Sequence, residues 1–411
     1  MKKWRLLLLP LVLVVMVIPA YSEEDEDESQ LYSTGLIKKG GMTGNIDKLL
    51  NVNIFVAGRM SQIPNKKITS VLEGDDVDSF SVPGARLYLT GQVYTDVFYK
   101  VAYEFSNEND LDPNDRNGRL TDAMLTWKLP VETDLIDRLD VNVGLGPIFL
   151  SPAGEEDIFF LDTIEHPLIV RNFLPPGTAR DKGLFFKGSF LGQETLQVWA
   201  GMYNGTHRRI GVSDPMGLAP APMLTSEAVD AWGTNAGEDV DQFAYMGRAQ
   251  LNILNEENMF FMVSGGVSRT PFLRPDPATH AEILDDTLFD LATEVRFNKR
   301  QTWLKGEIIR TNTEKTDDLL GFHVTGGHRL GFITESLEVV LRYEQQDLDD
   351  HVSSVDDLWA VTVGLNYFFN PEYEHDAKLQ LNYIKRESAQ TQFANGIRGD
   401  NAVLLQFVLG F

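Results

Sequence analysis

From residue 51 onward the chain alternates large apolar side chains with small or polar ones, in segments of about ten residues separated by turn-forming clusters. The third segment is the clearest: Val97, Tyr99, Val101, Tyr103 and Phe105 share one face, and Lys100, Ala102 and Glu104 share the other. The last twelve residues, Asp400 to Phe411, repeat the pattern, with Val403, Leu405, Phe407, Leu409 and Phe411 on one side and Leu404, Gln406, Val408 and Gly410 on the other. Because successive side chains of a strand point to opposite faces, each segment predicts a strand with one fully apolar face. Strands are expected near 51–60, 84–93, 95–105, 119–128, 138–148, 181–188, 194–203, 242–253, 258–268, 287–297, 301–310, 320–330, 336–345, 358–369, 376–384 and 400–411. They number about sixteen, each close to the nine to eleven residues that a tilted strand needs to cross a bilayer.

Connection lengths alternate as well. Those after even strands are mostly tight, as at Asn255-Glu256-Glu257, Asn298-Lys299-Arg300, Gly331 to Glu335 and Asn370 to His375. Those after odd strands are mostly long: 61–83, 106–118, 149–180, 204–241, 269–286, 346–357 and 385–399. The exceptions are 129–137 and 311–319, a turn and a loop of similar length. This asymmetry predicts an all-β fold, a transmembrane antiparallel barrel of about sixteen strands with short periplasmic turns and long extracellular loops. Helical periodicity is nearly absent outside the N-terminus and the stretch from Pro220 to Trp232. Aromatic residues gather near strand ends (Tyr94, Trp127, Tyr343, Trp359, Tyr367, Phe369 and Tyr383), where an interfacial girdle would place them.

The N-terminus predicts export. Lys2, Lys3 and Arg5 precede an apolar run from Leu6 to Ile18, and the small residues Ala20 and Ser22 precede a cleavage point, so residues 1–22 read as a secretory signal peptide. Residues 23–48 form an acidic leader, and 49–411 the barrel. The chain has no Cys, which excludes a disulfide framework and lipidation of a mature N-terminal Cys. The aromatic terminal strand resembles the closing strand and assembly signal of bacterial outer-membrane barrels, which implies the barrel-assembly machinery as a partner. Hydrophobic residues make up 43% of the chain, which a barrel tolerates because only alternate residues touch lipid. Without the three signal-peptide cations, 33 basic residues stand against 60 acidic ones, a balance that speaks against nucleic-acid binding.

Four stretches resemble the phosphate-selective porin O and P family: Thr178-Ala179-Arg180-Asp181-Lys182-Gly183, Met202-Tyr203-Asn204-Gly205, Leu337 to Glu344, and Leu365 to Tyr383. The resemblance covers most of the mature chain and is strongest in its second half. It implies a sixteen-stranded barrel in the outer membrane, a homotrimer, and a third long loop, Phe149 to Ala179, folded inward as a constriction.

Inward parity then lists the charged wall. Arg59, Arg86, Lys100, Lys128, Arg138, Lys187, Arg248, Arg296, Lys305, Arg329, Arg342 and Lys378 are the basic positions. Glu104, Asp122, Asp140, Asp290, Glu294, Glu307, Glu338 and Glu344 are the acidic ones. Twelve against eight leaves the wall positive while the whole chain is strongly negative, and rows of Lys and Arg in a low-dielectric wall favour anions. Pairing across neighbouring strands is the alternative, leaving no preference along the path. The third loop departs from the family's pattern. It holds Glu155, Glu156, Asp157, Asp162 and Glu165 against Arg171, with Arg180 just beyond, which sets phosphate selectivity against a cation-preferring mouth. In the fourth long loop, His207-Arg208-Arg209 reads as a surface patch.

Enzymatic signatures are missing. There is no HExxH, no paired metal spacing among the seven His and no G-x-S-x-G elbow, and Ser264 and His323 are an inward pair of the kind any such wall offers by chance. No cofactor is implied. Three functions stay open: a passive porin for small hydrophilic solutes or ions, phosphate among them; a barrel sheath or scaffold around a partner protein; and a surface protein acting through acidic loops. The bilayer and lipopolysaccharide are expected surroundings for all three.

Overall fold

A computed structural model of the chain describes residues 50–63, 77–106, 119–173, 180–204, 243–274, 282–313, 319–347, 358–388 and 401–411, apart from 132, 134, 193, 257, 332, 372 and 375. The signal peptide, the acidic leader, Pro220 to Trp232 and His207-Arg208-Arg209 lie outside the described residues.

Sixteen strands alternate along the chain: β1 (Asn51–Ile63), β2 (Val77–Tyr94), β3 (Val97–Glu104), β4 (Arg119–Leu129), β5 (Ile136–Pro147), β6 (Arg180–Phe190), β7 (Leu196–Tyr203) and β8 (Ala244–Glu256), followed by β9 (Met259–Arg274), β10 (Glu282–Phe297), β11 (Thr302–Thr313), β12 (Leu319–Arg329), β13 (Leu337–Asp347), β14 (Leu358–Phe368), β15 (Ala377–Ser388) and β16 (Ala402–Gly410). Two short helices, α1 (Pro152–Glu155) and α2 (Leu168–Phe173), interrupt the third long loop. Each strand pairs antiparallel with its sequence neighbours, and β1 pairs with β16 to close the barrel, Phe55 opposite Gly410 and Gln62 opposite Val403. Closure satisfies every edge, the condition for placing a sheet in lipid.

Alternation explains the two faces. On β16, Val403, Leu405 and Phe407 are exposed on the outside, and Ala402, Leu404, Gln406 and Val408 are buried on the inside. The aromatic face of β3 also points outward, ending in the exposed Phe105. Tyr94, Trp127, Tyr367 and Phe369 are exposed outside near strand ends, and Tyr383 is exposed outside in the middle of β15. A register shift opposite Ala102 and Tyr103 changes the parity of β4, so that Leu120 faces out while Thr121 and Asp122 are both buried.

The turns at one end are short and structured. Between β10 and β11, Asn298, Lys299 and Arg300 take φ values of 49°, 50° and 70°, a left-handed run that non-glycine residues adopt only where the surroundings hold it. It aims Arg300 back into the barrel. The long-loop strands run further than the apolar pattern does: β9 extends to Arg274 and β10 begins at Glu282.

The interior is filled from one side by the third loop. Ile148, Leu150, Ala153, Ile169 and Val170 pack on the inward residues Phe185, Trp199, Tyr203, Ala244, Met246, Leu288 and Ile309. Across the barrel, Ile164 and Leu168 pack on Leu358, Ala360, Ile384, Ala402 and Leu404. Burying each such side chain is worth roughly 1.5–3 kcal/mol, so the loop is docked as a core element. Gly84 on β2 permits the close approach, since a Cβ there would stand 2.5 Å from Ile158 Cδ1 and 2.6 Å from Phe159 Cζ.

Candidate functional site: the lumen and its third loop

All twelve basic positions expected on the inner wall lie on inward-facing rows. The acidic set, Glu104, Asp122, Asp140, Asp290, Glu294, Glu307, Glu338 and Glu344, shares those rows. What the parity could not give is how they are used.

The loop's carboxylates stand against cations. Asp157 meets Arg86, which also bonds Glu104 at 3.0 Å, and it accepts from Tyr88 Oη at 2.5 Å. Glu155 pairs with Arg248. Glu156 and Asp162 both contact Lys305 Nζ, each at 2.6 Å. Asp162 is also paired with Arg300, whose other nitrogen reaches Glu374 at 2.6 Å. Glu165 pairs with Arg386. Arg180, at the start of β6, bonds Asp122 at 2.7 Å and lies 3.6 Å from Asp157. Arg171 belongs to α2, and its side chain lies outside the described part of the structure.

Neutral bonds add to these. Lys378 Nζ donates to Leu161 O at 2.7 Å, Asn366 Nδ2 to Asp162 O at 2.8 Å, and Arg59 to Ile164 O at 3.4 Å, while Arg59 also holds Gln406 at 2.9 Å. Arg342 donates to Thr163 Oγ1 at 2.6 Å and to Glu165 O at 2.7 Å. Glu344 accepts from Leu168 N at 2.5 Å, at the first turn of α2. Ser151 caps α1 by accepting from Gly154 N at 2.9 Å and donates to Glu307.

The remaining wall cations are served by the wall. Lys100 bonds Asp122 at 3.0 Å, Arg138 bonds Asp140 at 2.6 Å, and Arg296 bonds Glu294 at 2.6 Å. These three are partly open, at 26%, 35% and 26% side-chain exposure. Arg329 pairs with Glu374. Lys128 lies over the Phe98 ring at 4.1 Å, and Lys187 and Arg248 lie over Trp199 at 5.3 and 4.5 Å.

Electrostatics divides the loop's acids into two kinds. Burial pushes the Glu155 and Glu156 carboxyls up, against the pull of Arg248 and Lys305. Burial acts in the same sense on Asp157 and Asp162, but Arg86 and Arg180 outweigh it at Asp157, and Lys305 and Arg300 at Asp162, holding both below the ordinary carboxylate range.

Sequence reasoning missed Arg300, Arg386, Glu374 and Tyr88. Arg300 and Glu374 lie in turns, where strand parity says nothing, and Arg386 lies past the expected end of its strand. Tyr88 is inward and polar only at its tip. Ser264 and His323 are both inward and buried, and His323 Nε2 lies 3.3 Å from Glu307.

Residues 68–149 and 323–411 match the family described as phosphate-selective porin O and P. No curated protein matches the chain in sequence. Among solved structures, the chain resembles the OmpF porin of Salmonella typhi (TM-score 0.57, 10% identity, 90% of this chain and 100% of that one). It also resembles an anion-selective porin of Comamonas acidovorans (0.57, 12% identity, 88% and 99%) and the outer-membrane channel DcaP of Acinetobacter baumannii (0.57, 14% identity, 91% and 100%). At these identities the likeness is one of fold.

Proposed function

We propose that this chain, which belongs to the phosphate-selective porin O and P family and forms an outer-membrane porin channel, passes small hydrophilic solutes and ions with only a weak preference for charge. One observation carries this: at least eight of the twelve basic wall positions hold a carboxylate, while Lys128 and Lys187 lie over aromatic rings and Lys378 donates to a carbonyl. Glu155, Glu156, Asp157, Asp162 and Glu165 occupy Arg248, Lys305, Arg86, Arg300 and Arg386, and the partly open Lys100, Arg138 and Arg296 each hold a strand carboxylate. An incoming phosphate would have to displace a carboxylate tethered in place, whose effective concentration is high.

The third loop as the lumen's own filler supports a porin over a sheath, because a sheath needs its interior for a partner. Export by the signal peptide of residues 1–22, the leader 23–48 and barrel 49–411, insertion through the C-terminal strand, a homotrimer and lipopolysaccharide around the long loops complete the proposal. The test is single-channel recording of the refolded protein in planar bilayers with phosphate added to one side. Stepwise conductance that millimolar phosphate leaves unchanged supports the reading. Block by phosphate at lower concentration would restore a phosphate-binding pore, and an absence of steps would return weight to the sheath.

A further inference from the structure

Asp290 on β10 is the most anomalous charged group inside the barrel. It is 5% exposed; among the described residues no N–H or hydroxyl donor reaches its carboxylate oxygens, and the Glu307 carboxylate lies within hydrogen-bonding reach of it. No other described carboxylate has both oxygens orphaned. Two buried carboxylates in contact need a positive charge between them, a shared proton or a metal ion.

Its surroundings consist of oxygen. Asp290 lies opposite Gly266 on β9 and Ile309 on β11. The register therefore makes Ser264 and Ser268 its diagonal neighbours on one side, and Glu307 and Thr311 on the other, all on the inward face and all buried. Ser264 Oγ and Thr311 Oγ1 are orphaned too. Above Gly266, the third loop brings in a carbonyl: Leu150 O lies 2.8 Å from where a Cβ on that glycine would stand. Arg248, the nearest wall cation, is opposite Gly266 on its far side, bound to Glu155 and to Gln250 Oε1 at 2.7 Å. Its Nε is itself without a partner and leaves Asp290 unserved.

We propose that Asp290, Glu307, Ser264, Thr311 and the Leu150 carbonyl hold a hard divalent cation of the Ca2+ class, which ties the third loop to the wall. The donor set is all oxygen, with carboxylate, hydroxyl and carbonyl groups mixed, which suits Ca2+ and its six to eight ligands. With no imidazole or thiolate among these donors, the set does not suit Zn2+. Asp290, Glu307 and Glu155 stand against Arg248, with the His323 imidazole 3.3 Å from Glu307, so an ion here would meet an excess of carboxylates. Glu307 already accepts from Ser151, so the ion and the α1 cap would share one anchor.

The test is equilibrium dialysis of refolded, chelator-stripped protein against radioactive Ca2+, with thermal unfolding recorded alongside. The chain's many other acidic residues supply a weak background that every variant shares. The wild-type protein is expected to hold one tight equivalent above it and to melt lower after chelation. Asp290→Asn should lose that equivalent and its sensitivity to chelator, and Ser264→Ala should weaken it about tenfold. If Asp290→Asn fails to give the heat-modifiable band of a folded barrel, Ser264→Ala and Thr311→Val report on the same site. Equal binding by wild type and these variants would overturn the proposal and leave only adventitious ions in the loops. No tight binding by the wild type would also overturn it, with a proton shared between Asp290 and Glu307 as the compensation.

Discussion

Lys305 on β11 reaches the third loop and places its Nζ 2.6 Å from Asp162 Oδ2, with Glu156 Oε1 at the same distance. One wall cation thus binds two loop carboxylates that are six residues apart. The Lys305 ammonium also lies over the Trp303 ring, whose Nε1 donates to Glu338 at 2.8 Å.

Lys305→Met should therefore cost more than a surface charge. Removing one partner of a largely buried pair leaves the other uncompensated, and a loss of about 2–4 kcal/mol is expected, somewhat reduced by the partial exposure of the lysine. Combining it with Asp162→Asn in a double-mutant cycle should show coupling of roughly 1–3 kcal/mol in denaturant unfolding from lipid vesicles. Additive losses would mean that the pair contributes little.

Gly84→Val tests the docking of the loop without touching a charge. The new side chain meets the ends of the Ile158 and Phe159 side chains at distances no Cβ adopts, so these two loop side chains must move and loosen the docking. Overpacking of this kind costs about 1–3 kcal/mol. Single-channel conductance should rise and become noisier, and unchanged traces would show that the loop is not the constriction.

Adjacent residues of β16 separate the two faces. Leu405→Lys puts a charge into lipid and should destabilise the barrel by roughly 2–4 kcal/mol near the bilayer centre. Gln406→Lys puts the same charge beside Arg59 in the lumen. It should alter conductance while leaving lipid insertion intact, as followed by heat-modifiable mobility on gels.

Acidification should raise anion preference. Because burial pushes Glu155 and Glu156 up, they take protons before ordinary carboxylates do as the pH falls, which removes negative charge beside Arg248 and Lys305. Asp157 and Asp162 are held down and remain ionised through the same range. Reversal potentials measured across a pH series should move toward anions on the acid side, and Glu156→Gln should shrink the change.

Much of this fold was readable from the chain because its decisive signal is local. A period of two gave the outward faces of β3 and β16, since a strand's faces depend only on parity. Strand ends were less legible. β2 begins at Val77 and β9 runs to Arg274, because beyond the lipid nothing requires an apolar residue at every second position. Parity puts Leu404 on the inner face of β16 but does not say what covers it; with Ala402 it is part of the platform on which Ile164 and Leu168 dock. The pairing of loop to wall was hidden altogether: Arg386 and Glu165 are separated by 221 residues, and no periodicity links them.

The central claim is that loop carboxylates neutralise the basic wall, and reversal potential in a KCl gradient tests it most directly. The wild-type channel should reverse close to zero, and a channel carrying Glu155→Gln and Glu156→Gln should reverse toward the anion potential at neutral pH. A wild-type channel that is already strongly anion-selective, and that these two substitutions leave unchanged, would contradict the account.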